Sequence, residues 1–120
     1  MKATLEKFPT VQVIEFTVAP QVTPSEGLPH HEWFIEFANP PENLNLFAEE
    51  LNQHMQRLNV YYDDLIKGHI LCRLKISVLQ SNGFQNMMKA EGKLGGQNKV
   101  PRLSNDRKIA NQLNTYKLKI

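Results

Sequence analysis

Apolar and polar residues alternate through the first ordered stretch, Val11 to Val18, with Ile14, Phe16 and Val18 on one face and Glu15 and Thr17 on the other. Period two in β-branched and aromatic residues predicts a half-buried strand. Residues 2 to 8, ahead of it, read as a helix end or a tail stopped by Pro9. Pro20, Pro24, Gly27 and Pro29 predict an extended loop, because proline lacks the amide a helix needs. A second strand spans His31 to Ala38, with Trp33, Ile35 and Phe37 on one side and Glu32, Phe34 and Glu36 on the other. Aromatic residues on both faces imply that one side meets a helix and the other a second surface.

The period then lengthens. Leu44, Phe47, Leu51, Met55 and Leu58 recur at steps of three and four, which predicts an amphipathic helix opened by Pro40-Pro41-Glu42 and laid on the sheet. Tyr61 to Ile66 predicts a helical turn ending at Gly68. From Ile70 to Leu79 the alternation is the cleanest in the chain, with Ile70, Cys72, Leu74, Ile76 and Val78 on one face. Asn82-Gly83 turns into a short helix carrying Phe84, Met87 and Met88. Ser104 is placed to cap a last helix with Asp106 in its first turn and Ile109, Leu113 and Tyr116 as its apolar stripe. The expected fold is a small two-layer α+β sandwich. Its three-stranded, mostly antiparallel sheet (Val11 to Val18, His31 to Ala38, Ile70 to Leu79) is packed by helices.

Length adds that the 120 residues make one domain, with room for a single modest core and little for a complete two-substrate enzyme. No apolar run approaches the roughly 20 residues that cross a bilayer, and Met1 to Pro9 lacks the apolar centre of a signal peptide. The one cysteine, Cys72, has no internal disulfide partner and sits in a strand-like run, which favours buried core over nucleophile and points to a reducing cytoplasm. Net charge is only +2, but it is unevenly placed. Residues 1 to 88 hold six Lys/Arg against ten Asp/Glu, whereas residues 89 to 120 hold eight against two. That split predicts an anionic partner near the C-terminal third. Nucleic acid is not expected there, because Tyr116 is the only aromatic after residue 88 and single-strand binding needs stacking platforms.

The basic third contains Gly92-Lys93-Leu94-Gly95-Gly96-Gln97-Asn98-Lys99-Val100-Pro101-Arg102. Three glycines in five positions free the backbone to approach a ligand closely, and Lys93, Lys99, Arg102 and nearby Arg107 suit phosphate or carboxylate. The alternative is a solvated interhelical loop whose charges serve solubility. Other constellations are weaker. His30 and His31 are adjacent on a strand and point to opposite faces, so no metal site is expected. Asp63-Asp64 beside two tyrosines reads as a solvated turn or a structural Tyr hydrogen bond sooner than as an acid pair.

Gln97-x-Lys99-x-Pro101-Arg102 resembles the Gln-Tyr-Lys-x-Pro-Arg signature near the C-terminus of the auxin-responsive Gretchen Hagen acyl-acid amido synthetases, and the run from Gly92 to Arg107 is similar to their bacterial branch. Leu74-x-Ile76-x-Val78, then Gly83-Phe84 and Met87, resemble the family's last strand, turn and following helix, and His31-x-Trp33-Phe34-x-Glu36 resembles an upstream strand. The likeness runs in order over roughly residues 11 to 107. It departs from the plant pattern at Asn98, where an aromatic is common, and at Leu103-Ser104.

The resemblance implies a part in a larger adenylate-forming ligase. The full enzyme would use ATP and Mg²⁺ to activate a carboxylic acid as an acyl-adenylate, then pass the acyl group to an amine such as an amino acid. Residues 1–120 would be its C-terminal lid, turning against a large N-terminal adenylation domain and silent alone, with no cofactor bound. Residues 92–103 would be a mobile loop bringing Lys99 to the active site as the catalytic residue, with Gly95, Gly96, Gln97 and Arg102 near the nucleotide. Arg102 either contacts ligand or pins the loop to its own domain. The face that meets the large domain would be bare in the isolated chain, as an apolar patch or a dimer contact. The rival is a free-standing, non-catalytic module that binds an anionic partner through the same loop.

Overall fold

In the computed structural model, residues 2–22, 27–90, 103 and 107–118 are described. The chain opens with helix α1 (Lys2–Lys7) and then forms two long antiparallel strands, β1 (Gln12–Gln21) and β2 (His30–Asn39). Helices α2 (Leu44–Leu58) and α3 (Val60–Lys67) follow. They connect β2 to the short strand β3 (Lys75–Val78), which lies parallel to it. Helices α4 (Gly83–Ala90) and α5 (Lys108–Leu113) and a 3₁₀ turn at Asn114–Tyr116 complete the described elements. The sheet order is β1-β2-β3, antiparallel across its longer pairing and parallel across the shorter. Parallel neighbours need a long crossover, and α2 with α3 supplies it.

β2 is the central strand, and its two faces carry separate cores. Trp33, Ile35 and Phe37 pack with Val18 of β1 and Phe47, Ala48 and Leu51 of α2. Phe34, facing the other way, packs with Ala19, Leu79, Phe84, Met87, Ala110 and Leu113. The α+β class and the three strands agree with the sequence reading. The second helical layer, α4 with α5, is what the two-layer expectation did not include, and it explains the aromatic residues on both faces of β2.

Strand limits also shift, each for a local reason. β1 continues through Pro20, which pairs with His31; β1 is an edge strand of the sheet, where a missing amide costs no sheet hydrogen bond. A register shift between Val13 and Glu15 makes Ile14 an extra residue, leaving it exposed while Val13 packs on the core. β3 begins at Lys75 instead of Ile70. The amides of Ile70 and Leu71 both bond back to Leu65 O, closing α3, and the Cys72 amide bonds to Pro29 O. Cys72 is therefore half-buried outside the strand, with its thiol 3.6 Å from Leu28 O, and is not a core residue.

Helix ends are set by side chains the sequence shows plainly. α2 starts one turn later than Pro41 suggests, because Asn43 is its cap and accepts from Leu46 N at 3.1 Å. Asn59 serves two helices. Its amide bonds to Met55 O to end α2, and its side chain accepts from the amides of Tyr61 and Tyr62 to start α3. Ser104 and Asp106, expected to open the last helix, lie outside the described residues; α5 has Arg107 at its cap position without a side-chain cap bond.

Candidate functional site

The residues singled out in the basic loop, Gly95, Gly96, Gln97, Lys99 and Arg102, lie outside the described residues, as does Lys93. What is described is the frame on either side. α4 ends at Ala90, Leu103 forms a parallel bridge to Val18 on β1, and Arg107 stands just before α5.

Arg107 enters a cluster centred on Glu32 of β2. The Glu32 carboxylate accepts from Arg107 Nη2 at 2.8 Å and from Lys117 Nζ at 2.9 Å, and the Ser77 hydroxyl of β3 donates to it as well. Both cations also lie over the Phe34 ring, Lys117 at 5.3 Å and Arg107 at 5.9 Å from its centroid. Burial alone raises the carboxyl pKa. The hydrogen bonds from Ser77, Lys117 and Arg107, with the Lys117 charge, outweigh it and hold Glu32 below the usual carboxylate range.

Glu36 is the second carboxylate on this face. It accepts from the amides of Asn82 (3.0 Å) and Phe84 (3.3 Å), satisfying the first turn of α4. Asn82 takes a left-handed φ of 64°, which an asparagine tolerates, so the chain can turn directly into the helix. Gly83 follows, where a Cβ would crowd Leu79 Cβ at 3.1 Å.

On the opposite face Asn52 is the polar centre. Its Oδ1 accepts from Leu74 N at 3.2 Å and from the Tyr62 hydroxyl, and its Nδ2 donates to Gln56, which donates in turn to Asp63. Burial pushes the Tyr62 phenol up to about 12, so it stays a neutral donor. Asp63 is held low by the hydrogen bond from Lys67. The two aspartates therefore form no acid pair, and the structural Tyr bond goes to Asn52. His31 stacks on Tyr62 with centroids 5.3 Å apart, and burial followed by the His30 charge lowers its pKa. His30 turns its Nδ1 toward Leu28 O.

A groove of about 280 Å³ lies between the start of α2 and the strand region Arg73 to Ile76, with Arg73 and Lys75 on its rim. Its volume is small for a site that must enclose a nucleotide and an acid. The most exposed apolar side chains in one short run are Leu58, Val60 and Tyr61 at the α2–α3 elbow, 77%, 64% and 79% exposed. No described helix is long and apolar enough to cross a membrane.

The sequence reading missed Glu32, Ser77 and Lys117 as one cluster. Its signal was present: a carboxylate alternating with aromatic residues on a strand covered on both faces requires a partner.

A small mixed sheet with a helix-covered core on each face defines an α+β domain. The chain matches the GH3 family C-terminal domain over residues 1–108, and it belongs to that family. Two solved structures are similar in fold. They are a GH3.15 acyl acid amido synthetase, with a TM-score of 0.76, and the AtGH3.15 acyl acid amido synthetase in complex with 2,4-DB, with a TM-score of 0.73. Each is 19% identical over 98% of this chain, and the chain spans 22% of each of theirs. No curated protein sequence matches the chain.

Proposed function

We propose that this chain is the C-terminal lid of an ATP-dependent acyl-acid amido synthetase, acting in the reducing cytoplasm and contributing Lys99 to carboxylate adenylation. One observation carries the reading: the family match spans residues 1–108 and so includes Gln97-x-Lys99-x-Pro101-Arg102. When a substrate carboxylate attacks the α-phosphate of ATP, two anionic groups converge. An ammonium between them stabilises the charge where it concentrates. Gly95 and Gly96 give the segment the backbone freedom to make that approach, Gln97 orients it, and Arg102 either contacts the nucleotide or pins the segment.

Among the described residues no group of His, Cys, Asp or Glu is disposed to hold a metal. In this reading Mg²⁺ is held with the nucleotide by the large N-terminal domain. That domain would also supply the acid and amine pockets, and it would cover the apolar elbow at Leu58, Val60 and Tyr61.

The test is acid-dependent ATP–pyrophosphate exchange by the longer protein that carries this domain, against a panel of carboxylic acids. Lys99→Ala should lower the exchange rate by about a hundredfold or more while leaving the circular dichroism spectrum unchanged. Exchange at the wild-type rate would sink the assignment. Lys99-dependent anion binding without exchange would favour the free-standing module.

A further inference from the structure

We infer that the groove between α2 and the approach to β3 is a binding site for a small amphipathic carboxylate, an acid with an apolar body and one anionic head. The inference stands apart from the adenylation reading, since it involves neither Lys99 nor a nucleotide, and every residue lining the groove is described. The floor is apolar. Ala48 and Leu74 are 4% and 1% exposed, Leu44 and Ile76 are half-buried, and all four belong to the core under α2 or pack against it. Leu74 and Ile76 turn into that core, so alternation along the chain carries Arg73 and Lys75 to the outer side, at the mouth of the groove. Both cations are exposed, and neither makes an ion pair among the described residues.

The ligand class follows from what the groove lacks. Among the described residues no carboxylate lines it, and the first turn of α2 carries no acidic residue, so the two cations face no charge of the opposite sign there. A volume of about 280 Å³ lies at the small end of ligand sites and excludes a nucleotide. An added peptide strand does not fit either. The outer edge of this strand region is taken at Val78 by the Leu118 amide and at Leu74 by Asn52, which leaves only Ile76 open among the described residues. A bare phosphate would leave the apolar floor uncovered. An acid covers the floor with its body and meets Arg73 with its head, and a guanidinium pairs with a carboxylate through two parallel hydrogen bonds. Trp33, the one tryptophan in the chain, pairs with Ile76 in the sheet and shares its core, so its fluorescence reports on the site.

The experiment titrates phenylbutyrate, its uncharged analogue phenylbutanol and inorganic phosphate into the 120-residue chain, followed by Trp33 fluorescence and backbone amide NMR shifts. Phenylbutyrate should saturate with a Kd of about 1 mM, and its shifts should centre on Leu44 to Ala48 and Arg73 to Ile76. Phenylbutanol should bind about fivefold more weakly, because the charge-assisted pair is lost, and phosphate should not saturate. Arg73→Gln should weaken phenylbutyrate by the same factor. Asn45→Glu, on the groove wall, should weaken it as much while the melting temperature holds or rises, because a carboxylate suits the first turn of a helix. If one variant fails to fold, the other decides. Failure of phenylbutyrate to saturate, equal binding of phenylbutanol or phosphate, or shifts spread over the exposed elbow at Leu58, Val60 and Tyr61 overturns the inference. So does undiminished binding by the folded variants, whatever Lys99→Ala does in pyrophosphate exchange.

Discussion

Replacing Asn52 with leucine tests the account of how the first core is specified. The two side chains have similar size, so the change is electrostatic: Leu74 N and the Tyr62 hydroxyl both lose their acceptor. Leu74 is 1% and Tyr62 4% exposed, so water cannot replace it. Leaving a buried donor unsatisfied costs about 1–3 kcal/mol, and two such donors, offset by the apolar gain of leucine, give a net loss of about 3 kcal/mol. Gln56 also loses a donor, but it is only half-buried and recovers a partner from solvent.

For a chain of this length, about 3 kcal/mol lowers the melting temperature by about 12 °C. The assay is urea unfolding read by circular dichroism, with the midpoint falling and the slope unchanged. Tyr62→Phe alone should cost about 1 kcal/mol. The double variant should be more stable than Asn52→Leu, because the orphaned hydroxyl is gone. Simple additivity of the two single losses, or a loss below about 1 kcal/mol in Asn52→Leu, would refute the argument that this asparagine ties α2, α3 and the approach to β3 together.

Stability should also depend on acid through Glu32. Its folded pKa lies below its unfolded value of 4.5, so its contribution is fully present above pH 4.5 and is lost as pH falls through the depressed folded value. A pH series of unfolding midpoints should show that acid limb in wild type and its loss in Glu32→Gln; an identical limb in the two proteins would contradict it. Phe34→Ala removes a ring that is 0% exposed and is the β2 contribution to the second core. Urea unfolding should report a loss of about 3–5 kcal/mol, against less than about 1 kcal/mol for truncating exposed Leu58 to alanine.

Local sequence set most of the secondary structure because the deciding contacts are short. Asn43 and Asn59 cap helices within three residues of themselves, and the α2 stripe of Phe47 and Leu51 faces the sheet as its spacing requires. β3 was misread in extent because alternation over Ile70 to Leu74 is a statement about side chains. The backbone there is claimed by Leu65 and Pro29, partners that periodicity does not reveal. The parallel direction of β3 was hidden for the same kind of reason: it depends on the long α2–α3 crossover and not on the composition of the strand.

The candidate site divides along the same line. The Lys99 motif was legible because its residues are neighbours in the chain, and nothing about the fold is needed to see glycines beside cations. The Glu32 cluster draws on β2, β3, the approach to α5 and the C-terminal segment. Yet one half of it was written locally. On β2, Glu32 and Glu36 share a face with Phe34, and that face is covered. A buried carboxylate must find donors or be protonated. One found backbone amides at the start of α4; the other found two cations that flank α5. The sequence therefore announces that distant donors converge on the second face of β2, and only the fold names Arg107 and Lys117 as two of them. A segment that begins at one of these carboxylates, through α4, and ends at the other, through Arg107, has both its ends tied to a single strand.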